Sequence, residues 1–299
     1  MRGLRCLVTG ATGFLGGHLL AELASEGAEV AVLSRVPQPA GLQVARWYLG
    51  DLEDSAAVEA ALADDRPEVV FHLASFVTGR RELDLVLPTF RANLSSSVHL
   101  LAAATRAGCR RIVLAGSMEE PEPGVAPPSP YAAAKAASSL YAAFFHAAYG
   151  APVVTARIFM TYGPGQRDRA KVIPASILAA LGGHPPHISS GARPVDWIYA
   201  GDVARGLVAL AVAPDLEGAT LDLGSGELVT VREVVERICR ATGAPPPVVG
   251  ALPDRPLEAV RRADVAATFA RCGWRPQVDL DSGLARTIDF YRDEAGRKG

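Results

Sequence analysis

The run Cys6-Leu-Val-Thr-Gly10-Ala-Thr-Gly13-Phe-Leu-Gly16 decides how the chain is read. Cys6 to Thr9 is apolar and of strand length, and the GxxGxxG spacing follows it directly before an apolar-periodic stretch that starts at Phe14. In such a strand-to-helix turn the first glycine permits the tight bend, the second lets backbone approach a pyrophosphate, and the third lets helix and strand pack closely. The N–H groups of the helix start are then aimed at phosphates. Gly10, Thr12, Gly13, Phe14, Leu15 and Gly16 are therefore candidate dinucleotide-binding positions. The competing reading is a plain strand-to-helix turn, and the rest of the chain decides between the two.

Outward from this run the first half alternates short apolar runs with helical patterns. Strands are expected at Arg5 to Thr9, Glu29 to Ser34, Glu68 to Leu73, Arg111 to Ala115 and Val153 to Ile158. Helices are expected near Phe14 to Glu26, Ser55 to Ala63, Leu83 to Ala107 and Tyr131 to Tyr149. This alternation implies a doubly wound parallel sheet covered on both faces, an α/β fold. Beyond Gly163 the rhythm loosens, Pro and Gly crowd 182–194 and 243–256, and helices are expected at Val172 to Leu181, Val203 to Ala211, Val231 to Thr242 and Ser282 to Arg292. We read residues 1–165 as a dinucleotide-binding domain to which 195–222 return, and 166–194 with 223–299 as a second, smaller mixed α/β domain for substrate.

Composition sets the outer bounds. The 299 residues are 49% hydrophobic and 21% charged, an ordinary globular balance. Thirty Lys and Arg against 32 Asp and Glu give a formal net charge of −2, too even for a protein whose task is neutralising nucleic acid or anionic lipid. No apolar run reaches the roughly 18 to 20 residues of a membrane span, and the start, MRGLRCLVTGATG, has no signal-peptide pattern, so a cytoplasmic protein is expected. Cys6, Cys109, Cys239 and Cys272 lie far apart without CxxC spacing, which points to neither a metal site nor a disulfide framework.

The end of the second strand bears on which dinucleotide fits. An acidic residue there bonds the ribose hydroxyls of NAD, whereas arginine pairs with the extra phosphate of NADP. Here the strand ends Val32-Leu33-Ser34-Arg35 without a carboxylate, so Arg35, supported by the Ser34 hydroxyl, favours NADP(H), with NAD as the alternative. Asp51, followed by Leu52, is a candidate for the adenine amino group or, alternatively, a cap for the helix near Ser55.

Tyr131-Ala-Ala-Ala-Lys135 opens a helix after Pro128-Ser-Pro130, and residues four apart share a helix face. A cation beside a phenol favours phenolate, so Lys135, one of three lysines with Lys171 and Lys298, is expected to lower the Tyr131 pKa and make it a proton shuttle. Ser117 closes the fourth expected strand, at the edge where open α/β sheets place ligands, and its hydroxyl can share a substrate oxygen with Tyr131. Glu119 is a candidate base two residues on, although Glu119, Glu120 and Glu122 also read as a solvated acidic run.

Together these residues resemble the extended short-chain dehydrogenase/reductase family, in its NAD(P)-dependent nucleotide-sugar epimerase, dehydratase and reductase branch. Further matches are Gly50-Asp51-Leu52, His72-Leu73-Ala74, Asn93, Tyr162-Gly-Pro-Gly165, Asp196-Trp-Ile-Tyr199 with Asp202, and Gly273-Trp-Arg-Pro276, so the resemblance covers nearly the whole chain. It implies a Rossmann domain whose cofactor is lined by Leu73 and Ala74 and touched by Tyr131 and Lys135. It further implies a nucleoside diphosphate sugar as substrate, a homodimer, and hydride chemistry at the sugar's 4-position. The chain departs from the family at Phe159-Met-Thr161, where Asn is usual, and at Met118, where dehydratases often carry an acid. The leading expectation is an NADPH-dependent 4-ketosugar reductase, followed by a 4-epimerase and then a 4,6-dehydratase with Glu119 as base. An NADP-sensing scaffold is the non-enzymatic alternative, against which an intact Ser117, Tyr131 and Lys135 argue.

Overall fold

The computed structural model describes residues 1–254 and 260–296. Seven parallel strands form the main sheet: β1 (Arg5–Thr9), β2 (Glu29–Ser34), β3 (Arg46–Leu49), β4 (Val69–His72), β5 (Arg111–Ser117), β6 (Val153–Ile158) and, added after β7 to β9 below, β10 (Thr220–Leu223). Their spatial order is β3-β2-β1-β4-β5-β6-β10, so the direction of winding reverses between β1 and β4. Open α/β sheets bind ligands beyond the carboxyl ends of strands at that reversal. Cys6, Leu7, Val8, Val69, Val70 and Phe71 are all fully buried, as expected of strands covered on both faces.

The helices of this unit begin and end where the local chemistry directs. Helix α1 (Phe14–Ser25) starts on Gly13 with no side-chain cap. Helix α2 (Ser55–Asp65) is capped by Asp54, whose Oδ1 accepts from the Ala56 and Ala57 amides, so the capping alternative raised for Asp51 goes to its neighbour.

The single helix expected from Leu83 to Ala107 is instead broken. A 3₁₀ turn at Leu83–Leu85, a short helix α3 (Val86–Thr89), a π-helical turn at Phe90–Ser95 and α4 (Ser96–Arg106) follow one another. Pro88 removes one amide donor and crowds the preceding turn, and the π turn carries the buried Asn93. Helix α5 (Pro130–Tyr149) is capped by Ser129, with proline in its favoured first position and Gly150 left-handed at its end.

A second compact unit comprises the described parts of Phe159–Val203, Gly224–Val265 and Arg275–Gly299. In it β7 (Met160–Tyr162), β9 (Pro194–Tyr199) and β11 (Leu228–Thr230) make a three-stranded sheet, and β8 (His187–Ile188) pairs with β12 (Val248–Val249). Because β7 pairs with β9 and not with β6, this unit begins at Phe159, and β9 belongs to it. Ala266–Trp274 groups with the main sheet instead. Tyr162, Ile177, Trp197, Ile238, Leu284 and Ile288 fill the core of the smaller unit. The Asp196 carboxylate, fully buried there, is satisfied by the amides of Ser225, Gly226 and Ala263 and the Ser225 hydroxyl at 2.6–3.0 Å. Asp202 likewise accepts from the amides of Gln277 and Val278. These two matched aspartates are thus loop clamps.

Candidate active site and cofactor cleft

The glycine loop joins β1 to α1 at the reversal of the sheet. Gly10 adopts φ +73°, and a Cβ there would stand 2.5 Å from the Ala74 nitrogen and 2.6 Å from the Leu73 carbonyl carbon. A Cβ on Gly16 would clash outright with the Gly10 oxygen, and one on Gly13 would lie 3.1 Å from the same atom. Gly10 and Gly16 are therefore required by close backbone approach, whatever binds above them.

Beside this loop lies an open cleft of about 230 Å³. Of the candidate cofactor residues, Gly10, Thr12, Gly13, Ser34, Arg35, Asp51, Leu52, Leu73 and Ala74 line it. Phe14, Leu15 and Gly16 are not in its wall; they form the first turn of α1, where the Phe14 ring packs edge-on against His18. Tyr131 and Lys135 also lie outside that wall. Leu33, Val36, Glu53, Ser75, Ala92 and Ser96 line the cleft too without having been assigned to it from the sequence, as does Gly50, which entered only in the matched Gly50-Asp51-Leu52 run. A cleft walled by glycines, opening on an uncapped helix start and ending at an exposed arginine, fits an elongated dinucleotide with phosphates near α1.

Beneath the cleft a hydrogen-bonded chain ties β1, β4 and the π turn together. Thr9 Oγ1 lies 2.7 Å from His72 Nδ1, and Ser97 Oγ lies 3.0 Å from His72 Nε2. Ser97 donates its own proton to the Asn93 carbonyl at 2.5 Å, so Nε2 is the ring donor and Nδ1 accepts from Thr9. The Asn93 side chain in turn holds the Ser75 hydroxyl and the Phe76 amide, at 3.0 and 2.7 Å. Burial, aided by the Lys135 cation, pushes His72 down from its usual 6.5 to about 3.

The unfolded chain therefore takes up a proton between those values that the folded chain refuses. Stability from this ring is complete above about pH 6.5 and is lost as pH falls towards 3. Chemical unfolding measured between pH 7 and pH 4 should show this decline, with a shallower one in His72→Gln; equal slopes would remove His72 as its cause.

Ser117, Tyr131 and Lys135 come together at the end of β5. Tyr131 is 8% and Lys135 3% exposed. The Ser117 and Ser75 side chains stand near the Tyr131 phenol and act to lower its pKa. Lys135 Nζ donates to the Ala115 carbonyl at 2.8 Å. Burial raises the Tyr131 pKa, and the charges of Glu119 and Glu120 raise it further. The lowering expected from Lys135 is thus not what this site does: the phenol is desolvated, two carboxylates add to the rise, and only the serine side chains oppose it. Burial brings Lys135 itself down to about 8, opposed by the charge of Glu120.

Glu119 is half-buried, and its amide donates to Ser117 Oγ at 3.1 Å. The acidic run is not uniformly solvated: Glu120 is 7% exposed, and its Oε1 accepts the Ser117 amide at 2.7 Å. Only Glu122 of the three is exposed. Met118 is buried.

Cys6, Cys109 and Cys239 are buried and Cys272 is half-buried. Among the described residues no group of three or more His, Cys, Asp or Glu is arranged to hold a metal, and no helix is long and apolar enough to cross a membrane.

The model of the NAD dependent epimerase/dehydratase family matches residues 6–224. A UDP-glucose 4-epimerase of Mycolicibacterium smegmatis is 31% identical over 98% of this chain and 100% of its own length. A dTDP-glucose 4,6-dehydratase of Actinoplanes sp. is 30% identical over 97% of this chain and 98% of its own. The crystal structure of the Thermus thermophilus UDP-glucose 4-epimerase in complex with NAD superposes with a TM-score of 0.83 at 31% identity, covering 97% of this chain and 99% of that one.

Proposed function

Because this chain belongs to the NAD dependent epimerase/dehydratase family, we propose that it transfers hydride at the 4-position of a nucleoside diphosphate hexose, working as a 4-ketosugar reductase. The observation that carries the reading is Arg35 in the cleft wall, which favours NADPH, beside a buried Tyr131 phenol held protonated near Ser117. A protonated phenol can give its proton to a carbonyl oxygen as hydride reaches the adjoining carbon. Ser117 would orient that oxygen, Lys135 would hold the ribose of the bound cofactor, and Ser75 stands near the phenol. The cleft would hold a reduced nicotinamide dinucleotide, whose chemistry is to supply the hydride. Atoms balance: one hydride to the sugar carbon, one proton from Tyr131 to its oxygen, and a proton regained from solvent.

Arg35 in the cleft wall supports NADPH as the donor. Arg35→Asp should weaken NADPH and spare or improve NADH, reversing a preference read as kcat/KM by roughly ten- to a hundredfold, the worth of one charge-assisted phosphate contact. An unchanged preference would remove Arg35 as the selector.

A second reading is a 4-epimerase, favoured by the named activity of the Mycolicibacterium and Thermus relatives. A 4,6-dehydratase fits less well, because the buried, apolar Met118 stands beside Glu119 where an acid is expected. The smaller unit is assigned the nucleoside diphosphate end of the substrate in the same proposal. A homodimer is part of it as well, supported by the exposed Leu140, Tyr141, Phe144 and Tyr149 on α5.

Product analysis separates the readings. The protein is incubated with UDP-glucose, dTDP-glucose or dTDP-4-keto-6-deoxyglucose, each with either cofactor in either redox state. Stoichiometric NADPH loss with the ketosugar supports the reductase. Conversion of UDP-glucose to UDP-galactose without net cofactor change supports the epimerase, and formation of a 4-keto-6-deoxy sugar supports the dehydratase.

A further inference from the structure

The loop that follows β5 folds back so that a carboxylate is enclosed against the strand it has just left. Glu120 is 7% exposed, and its Oε1 takes the Ser117 amide at 2.7 Å. A Cβ on Gly116 would lie 2.7 Å from that same oxygen, so the glycine leaves the space the carboxylate occupies. From the neighbouring helix Lys135 reaches the same strand end and donates to the Ala115 carbonyl. The last turn of β5 is therefore gripped by an anion on one amide and a cation on a carbonyl two residues earlier. A buried carboxylate is costly unless it is hydrogen-bonded, and here the Ser117 amide supplies the bond while the Lys135 cation acts on the same strand end.

We propose that Glu120 is a positioning residue of the site: its carboxylate fixes the Ser117 backbone, and hence the hydroxyl presented to Tyr131, at the same strand end that Lys135 reaches. The proposal rests on the proton-transfer roles assigned above to Ser117, Tyr131 and Lys135. It separates Glu120 from Glu119, whose side chain is half-buried and whose amide serves Ser117 Oγ. The titratable groups around Lys135 are Glu120 in the loop after β5, Tyr131 on its own helix and His72 at the end of β4, with Glu119 acting on Tyr131. His72 is neutral across the working range and contributes no charge. Removing the Glu120 anion lowers the pKa of both Lys135 and Tyr131, so every limb of a pH profile set by this pair moves in one direction, towards acid.

The chain's three lysines make the test direct. Protein carrying 13C at the lysine ε-carbon gives three lysine resonances, and the one lost in Lys135→Arg is Lys135. In the parent it should titrate near pH 8. In Glu120→Gln, which keeps an oxygen for the Ser117 amide but no charge, it should titrate roughly one pH unit lower, with Lys171 and Lys298 unmoved. The alkaline limb of kcat for ketosugar reduction should shift by the same amount. In Glu120→Asp, which keeps the charge on a shorter arm, Lys135 should titrate near its parental value while the Ser117 amide resonance moves.

Lys135 titrating unchanged in Glu120→Gln, or kcat falling equally at all pH values, would overturn the proposal. If Glu120→Gln does not fold, Glu120→Asp decides: a displaced Ser117 amide with Lys135 retained supports it, and an unmoved Ser117 amide overturns it. The lysine titration needs no substrate, so a shifted Lys135 in a protein inactive on every nucleotide sugar would strike the proposed activity and leave the positioning role standing.

Discussion

Tyr131→Phe is expected to lower kcat/KM for ketosugar reduction by roughly two to four orders of magnitude, the usual worth of a positioned proton donor. The fold should survive, because the ring stays buried and only the hydroxyl near Ser117 and Ser75 is lost. NADPH affinity should stay within a few-fold, since the cleft wall does not include Tyr131. Removing a desolvated hydroxyl together with its hydrogen bonds is close to neutral when the serines re-pair, so Tm should move little. Turnover within a few-fold of the parent, with the fold intact, would take the proton-transfer role away from Tyr131.

Gly10→Ala is the second large effect, and it acts through the backbone. At φ +73° an L side chain is strained, at about 1–3 kcal/mol. The added Cβ would also sit 2.5 Å from the Ala74 nitrogen, and no rotamer change relieves a contact with main chain. β1 and β4 are directly paired here, with Thr9 opposite His72, so the strain spreads into the sheet at its reversal. Tm should fall by roughly 5–10 °C. NADPH binding followed by fluorescence should weaken at least a hundredfold, because the moved backbone is what approaches the phosphates. A Gly10→Ala protein with parental Tm and affinity would mean that the loop is not held against Ala74 as described.

Sequence periodicity located β1, β2 and β6 to the residue because each is a short, largely apolar run between turn residues. It also brought Ser117, Tyr131 and Lys135 to one strand end, since their spacing on β5 and α5 is local. It missed the break in the helix after Leu83, where a proline and a side chain bonded to distant backbone override a good helical pattern. The charge balance around Tyr131 was also out of reach. Glu120 reads as one of three acids in a polar loop, and only the fold reveals that it turns inward onto Ser117 while Glu122 faces water. Burial, which sets the sign of the Tyr131 shift, is a property of the packed site and not of the Tyr-x-x-x-Lys spacing.

In the proposed reaction hydride passes to carbon 4 of a nucleotide-linked sugar while Tyr131 supplies the proton. NADPH deuterated at both nicotinamide 4-positions, mixed with dTDP-4-keto-6-deoxyglucose and the protein, tests it in one NMR spectrum of the product. The product should carry one deuterium at carbon 4 of a 6-deoxyhexose, formed by the parent and lost in Tyr131→Phe. Deuterium at any other carbon, or a product formed without deuterium, would contradict it.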